Sequence, residues 1–64
     1  MIITDTRIFT NEDPNRMRNS LGEYLQNEQN AFEITSMHIS YTVFMAGNQL
    51  TYSALAVLNK EMPD

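Results

Sequence analysis

The only histidine of this sequence, His38, is the side chain best suited to act as a general base near neutral pH. Such a base needs a nucleophile and an orienting acid, and a metal needs two or three further ligands. Ser36 and Ser40 are its nearest partners, residues 34–59 carry no carboxylate, and the chain has no cysteine. We therefore predict a protein that is not an enzyme and holds no metal and no cofactor. His38 is then a strand or interface residue, or a ligand contact.

Three of the four basic side chains, Arg7, Arg16 and Arg18, fall within the first 18 residues. A helix N-terminus that carries arginine can bind a phosphate or a carboxylate. Glu12 and Asp13 share this region and can pair with the arginines instead. Surface ion pairs and an anion site both stay open, and the anion site is favoured if two subunits combine their arginines.

Three tyrosines complete the set of candidate ligand contacts. Their rings could stack on a nucleotide base, but Tyr41 and Tyr52 fall on a predicted apolar face, where core packing is the alternative. The full predicted ligand site consists of Arg7, Arg16, Arg18, Tyr24, His38, Tyr41 and Tyr52.

The first half of the chain predicts a strand at about 2–10 and a helix at about 14–27. Asp13 can cap the helix, and Pro14 suits the first helical position, which needs no backbone donor. One narrow apolar stripe at helical spacing is formed by Met17, Leu21, Tyr24 and Leu25.

The second half predicts a hairpin of two strands, at about 32–46 and 49–59, followed by a frayed tail at 60–64. Gly47-Asn48 is typical of a two-residue turn with glycine first. Counting outward from this turn places apolar residues opposite each other at Met45–Leu50, Val43–Tyr52, Tyr41–Ala54, Ile39–Ala56 and Met37–Leu58. A change of phase predicts a bulge near Thr35-Ser36. We expect the third strand to lie between the other two.

With 64 residues, the chain is predicted to form a single α+β domain, a β-α-β-β unit with a three-stranded antiparallel sheet and one helix on one face. One helix leaves the second sheet face uncovered, which predicts that another copy of the chain or a partner covers it, and we expect a homo-oligomer formed through that face. The alternative is a monomer that tolerates an exposed sheet face rich in serine and threonine. The net charge of −4 argues against DNA or RNA as partner. No signal peptide or membrane span is recognisable, which predicts a cytoplasmic protein.

The strand Ile39–Val43, the turn and the segment Tyr52-Ser53-Ala54-Leu55 resemble small acidic proteins of Bacillus and its phages, including a small sporulation-associated family. That resemblance implies a similar fold and brings no established biochemistry. The layout is also similar to the topology of dodecins, which are flavin-binding proteins that form hollow shells. Dodecins stack flavin on a tryptophan, and this chain has none.

Two functions follow from these patterns. The first is a non-catalytic oligomeric protein that binds a small anion such as a nucleotide or nucleotide-derived signal, as phage proteins that sequester host-defence signals do. The site would then lie between subunits, because one chain is too small to enclose a ligand. The alternative is an adaptor or inhibitor that docks on a host protein through an exposed sheet face or edge.

Overall fold

A computed structural model describes residues 1–63 and confirms the β-α-β-β order and the α+β class. Four elements form the chain: β1 (Ile2–Asn11), α1 (Pro14–Ala31), β2 (Glu33–Ala46) and β3 (Gln49–Glu61). β3 therefore continues into the predicted tail at 60–64. The last residue of that tail, Asp64, lies outside the described residues.

α1 begins as predicted, because the side chain of Asp13 accepts a hydrogen bond from the Asn15 backbone N–H at 2.9 Å and Pro14 follows the cap. The helix runs to Ala31, four residues beyond its predicted end near residue 27. Two contacts hold this last turn. The Phe32 N–H donates to the Glu28 carbonyl, and the Glu28 carboxylate binds Lys60. Lys60, 32 residues away, thus connects this last turn to the sheet.

The sheet has the order β1-β3-β2, with both neighbouring pairs antiparallel, as predicted. The hairpin register agrees at every predicted pair, and the predicted bulge lies between Ile34 and Ser36. Gly47 has a φ of +61°, and no other type of residue in the described chain has a positive φ. This combination is a type II′ turn, whose twist suits a two-residue hairpin.

The core lies between α1 and one face of the sheet. On that face are the odd-numbered side chains of β1 and the even-numbered side chains of β3. Its buried members are Met17, Leu21, Tyr24, Ala54, Ala56 and Leu58. The two alanines are fully buried, and their small side chains let the helix approach the central strand. The opposite side of the sheet, here called the open face, has no covering element within the described chain. The prediction that copies associate through it stays a prediction.

The β2–β3 hairpin is longer than the elements that lie beside it. β1 pairs with β3 only as far as Tyr52, so residues 44–51 project beyond β1 as a two-stranded hairpin arm. The described chain is accordingly elongated, with extents of 48 × 16 × 13 Å.

The two glycines give a matched test of this backbone. Gly22 lies mid-helix, and a Cβ added there would have nothing within 4 Å, so Gly22→Ala should stabilise the protein by about 1 kcal/mol. Gly47→Ala should destabilise it by about 1–2 kcal/mol, because an alanine resists the positive φ of the turn. Urea unfolding followed by circular dichroism measures both. Equal effects of the two substitutions would contradict the assigned turn.

Candidate functional site

Tyr24 is a core residue rather than an exposed stacking platform. Its ring is buried, its centroid lies 5.4 Å from that of Phe9, and the Arg7 guanidinium carbon lies 4.9 Å from the centroid of its ring. The structure therefore brings together two of the predicted site residues, Arg7 and Tyr24. Because the ring is enclosed by protein, it offers no free face to a base.

The other two arginines lie exposed on α1. Arg16 lies 4.0 Å from the Asp13 carboxylate, the residue that caps the same helix. This is a weak exposed ion pair, since such pairs contribute little to stability. The contact agrees with the interpretation of Arg16 as a surface ion-pair residue. Arg18 is exposed two residues further along α1.

The remaining candidates lie on two different faces of the hairpin. Tyr41 and Tyr52 are diagonal neighbours on the helix side of the sheet, and 63% of the Tyr41 surface is exposed. His38 is on the open face, where its Nε2 lies 3.1 Å from the Ser40 hydroxyl. The seven predicted site residues thus form two small groups and several isolated positions, not one cluster.

The surface formed by residues 1–63 is without a pocket. Within the same residues, no group of three or more histidine, aspartate or glutamate side chains is placed to hold a metal ion. Helix α1 does not combine the length and apolarity that crossing a bilayer requires. A ligand bound by one chain alone would therefore rest on an open surface.

One charged cluster is not predicted by the sequence pattern, which places Lys60 in a frayed tail. The Nζ of Lys60 lies 2.7 Å from the Glu28 carboxylate and 3.4 Å from Asp5 Oδ2, and 4.5 Å from the centre of the Phe32 ring. Tyr24 donates its hydroxyl hydrogen to the same Asp5 oxygen at 2.7 Å. The strand register does contain the signal, because Lys60 follows Leu58 on the face that α1 covers. The cluster connects α1 to β1 and β3.

The pKa values of this cluster shift in directions that follow from its contacts. The hydrogen bond from Tyr24 lowers the pKa of Asp5, and Lys60 lowers it further against the effect of burial. Burial and the hydrogen bond to Asp5 raise the pKa of Tyr24 to about 12. The hydrogen bond to Glu28 raises the pKa of Lys60. All three shifts favour the protonation states present at neutral pH.

The largest uncovered apolar surface lies on β2. Its odd-numbered side chains on the helix side form an apolar stripe, defined as Met37, Ile39, Tyr41, Val43 and Met45. Tyr41, Val43 and Met45 are 55–63% exposed and Met37 is 40% exposed, whereas Ile39 is half-buried against the core. Phe44 and Leu50 on the arm are each 42% exposed. α1 packs mainly over β1 and β3, which leaves this stripe only partly covered.

The same strand has a free edge, because β3 pairs with only one of its sides. In the two-residue turn, Ala46 and Gln49 form the hydrogen-bonded pair that closes the hairpin. Hydrogen-bonded and non-hydrogen-bonded pairs alternate from there along antiparallel strands. The odd-numbered residues from 37 to 45 therefore direct their N–H and C=O groups away from β3. The free edge and the apolar stripe belong to the same residues.

The dimensions of the chain are those of an elongated unit. Its radius of gyration is 13.5 Å, against about 11 Å for a compact domain of this length. Its accessible surface is 4514 Å², against about 4200 Å² for a compact monomer of its mass. The excess belongs to a shape in which a long hairpin extends past its covering helix.

Comparison of the chain with protein-family models, with curated proteins and with solved structures returned no match. The resemblance to the small sporulation-associated family and to dodecins therefore stays a prediction, and the exposed surface is the remaining guide to function.

The charged cluster predicts the dependence of stability on pH. Because folding lowers the pKa of Asp5, its contribution is present near neutral pH and is lost as the pH falls below about 4. Because folding raises the pKa of Tyr24 to about 12, its contribution is present below pH 10 and is lost as the pH rises through 12. Urea unfolding at pH 3, 7 and 11 measures both losses.

Tyr24→Phe keeps the ring and removes the hydrogen bond to Asp5. We expect a loss of about 1–3 kcal/mol at pH 7 and a smaller alkaline loss than in the unaltered protein. Tyr41→Phe is the matched control on an exposed ring, with an expected change within about 0.5 kcal/mol. Similar losses in the two variants would show that the cluster does not stabilise the fold.

Proposed function

We propose that this protein is a non-catalytic protein-binding module, and that its binding surface is the free edge of β2 together with the apolar stripe. The partner is an extended segment of low charge and alternating apolar side chains, which adds to the sheet as a further strand. The observation that carries the proposal is the coincidence of unpaired backbone groups and exposed apolar side chains on residues 37–45.

The charge pattern supports this use of β2. Natural edge strands are usually protected by lysine, proline, inward-pointing charges or a covering element. β2 has one charged residue, Glu33, at its first position, and the 13 residues from Ile34 to Ala46 have no charge and no proline. β1, the other edge, has Asp5 and Arg7 within it. An unprotected edge of this length is suited to strand addition.

The side chains on β2 provide specificity in addition to backbone pairing. An added strand would place its own side chains beside the apolar stripe on the helix side and beside the Ser and Thr side chains of the open face. Burial of a side chain such as Val43 or Met45 is worth about 1.5–3 kcal/mol when complete. A partner with the opposite alternation would put polar groups against the stripe and would bind less well.

A small anionic ligand such as a nucleotide is a second candidate function. It is favoured by the exposed ring of Tyr41 with Tyr52 beside it, since aromatic faces stack on bases. The pocket-free surface of the described chain means that two subunits would have to form the site together. The same edge of β2 would then carry the ligand site near the contact between copies.

Site-specific photo-crosslinking tests the protein-binding proposal. A benzoylphenylalanine at Tyr41 should form adducts with a protein whose crosslinked residues lie on an extended segment. The same probe at Ile8, which is 65% exposed on the open face, is the matched control and should form few adducts. Val43→Lys should reduce adduct formation at Tyr41 at least tenfold, because a charge on the edge opposes strand addition. Equal adduct yields from Tyr41 and Ile8 would refute the proposed surface.

A thermal melt with a panel of nucleotides tests the second candidate. A nucleotide at about 100 times its Kd adds about 2.7 kcal/mol, which should raise the Tm of a domain this small by at least several degrees. Tyr41→Ala should weaken the shift, because it removes the exposed ring on which a base would stack. Melting curves that do not move with any nucleotide at millimolar concentration would end this candidate.

A further inference from the structure

We propose that the strand which β2 accepts is β2 of a second copy of this chain, antiparallel, with the two-fold axis beside Tyr41. This inference rests on the proposed function, because it names the partner of the same edge. Two copies would then share one six-stranded sheet, in the order β1-β3-β2 followed by the partner's strands in reverse order. The axis runs perpendicular to the sheet, so both helices lie on the same side.

The register follows from the part of β2 that can pair regularly. The bulge between Ile34 and Ser36 interrupts the strand at one end, and the turn ends it after Ala46. The regular segment is therefore 36–46, and its midpoint is Tyr41. A two-fold axis at the midpoint pairs the whole segment with itself, which is the longest pairing available to this edge.

This register matches side chains of the same kind on the helix side, whereas on the open face it also places His38 opposite the partner's Phe44 and Ser36 opposite the partner's Ala46. On the helix side, Tyr41 lies opposite the partner's Tyr41, Ile39 lies opposite the partner's Val43, and Met37 lies opposite the partner's Met45. On the open face, Ser40 lies opposite the partner's Thr42. Each cross-strand pair of this kind contributes roughly 0.2–1 kcal/mol. The odd-numbered pairs are also the ones whose backbone groups are free to exchange hydrogen bonds.

The charges of the chain are placed so that two copies can approach along this edge. Each copy has a net charge of −4, so two copies that approach each other in an arbitrary orientation repel each other electrostatically. On β2 itself only Glu33 is charged, and it lies outside the segment 36–46. No carboxylate is therefore placed opposite another in the proposed register. An antiparallel β1–β1 contact would instead include Asp5 and Arg7.

The elongated shape of the chain leaves its arm free to lie along a second copy. The radius of gyration of 13.5 Å, against about 11 Å for a compact domain of this length, reflects this projecting arm. In the proposed register, residues 44–46 in the arm of each copy pair with residues 36–38 of the other copy. That part of β2 lies beside the section of β3 that also pairs with β1. In each copy α1 lies over β1 and β3, away from the edge of β2 that forms the contact. The two helices on the same face of the shared sheet therefore do not collide.

The absence of cysteine allows a clean test by disulfide formation, because each added cysteine is the only one. Cα atoms of residues directly opposite each other lie about 4.5–5.5 Å apart, within disulfide range. We expect Tyr41→Cys to oxidise to a covalent dimer. Ile39→Cys and Val43→Cys should each form no covalent dimer when oxidised alone, because in the non-covalent dimer each lies four residues along the pair from the same residue of the other copy. A mixture of the two should form the mixed disulfide.

The molar mass of the unaltered chain, measured by light scattering over a range of concentrations, completes the test. We expect the unaltered chain to be a dimer and Val43→Lys to raise its dissociation constant at least tenfold. This result, together with the mixed disulfide, would support the inference. Ile8→Lys, the same charge on the exposed side of β1, is the control and should leave the dimer intact.

Three outcomes would overturn the inference, and they differ in what they mean for the proposed function. A monomeric chain whose Tyr41 probe crosslinks to an extended segment of a different protein overturns the self-pairing and leaves the proposed function. A monomeric chain without such adducts overturns both. A dimer that forms disulfides at Ile8→Cys and none at Tyr41→Cys would place the contact on the open face and would overturn the self-pairing, whereas the proposed function would still be decided by the Tyr41 crosslinks.

Discussion

The structure depends on a mismatch of length between one helix and one hairpin. α1 has 18 residues and spans roughly 27 Å, whereas the 14 residues of β2 span roughly 46 Å. A single helix cannot cover such a sheet, and the described chain has no second helix with which to do it. Every other feature of the surface follows from which end of the sheet the helix covers.

The charged cluster around Lys60 contributes to that choice. Lys60 binds Glu28 near the end of α1 and Asp5 on β1, and Tyr24 binds the same aspartate from the middle of the helix. These contacts hold the helix over the end of the sheet where the chain begins and finishes. The opposite end of the hairpin is therefore the uncovered one, and its exposed residues are uncharged. The polar contacts thus lie at one end of the sheet, and the exposed apolar surface lies at the other.

Most of the fold could be predicted from the sequence, because its main signals are local. The turn at Gly47-Asn48 determines the register of the hairpin, and the spacing of Met17, Leu21 and Tyr24 determines which side of α1 packs. The contact that connects the last turn of α1 to the sheet could not be predicted, because Lys60 is 32 residues from Glu28 in the sequence. The candidate site was even harder to predict from the sequence than this contact. Whether Tyr24 is buried and Tyr41 exposed depends on how far the helix reaches along the sheet.

The missing charge on β2 has a different explanation once the helix position is known. Twenty-six uncharged residues could mean a hairpin covered on both sides, but within one chain the arm and the stripe are exposed. A chain of this size buries only about 60% of its unfolded surface when it folds alone, so its stability is small. An apolar edge that charges do not protect adds a risk of non-specific association. Such a surface is consistent with a protein in which binding and full stability are coupled, because the strand that pairs with β2 also covers the side chains that α1 does not reach.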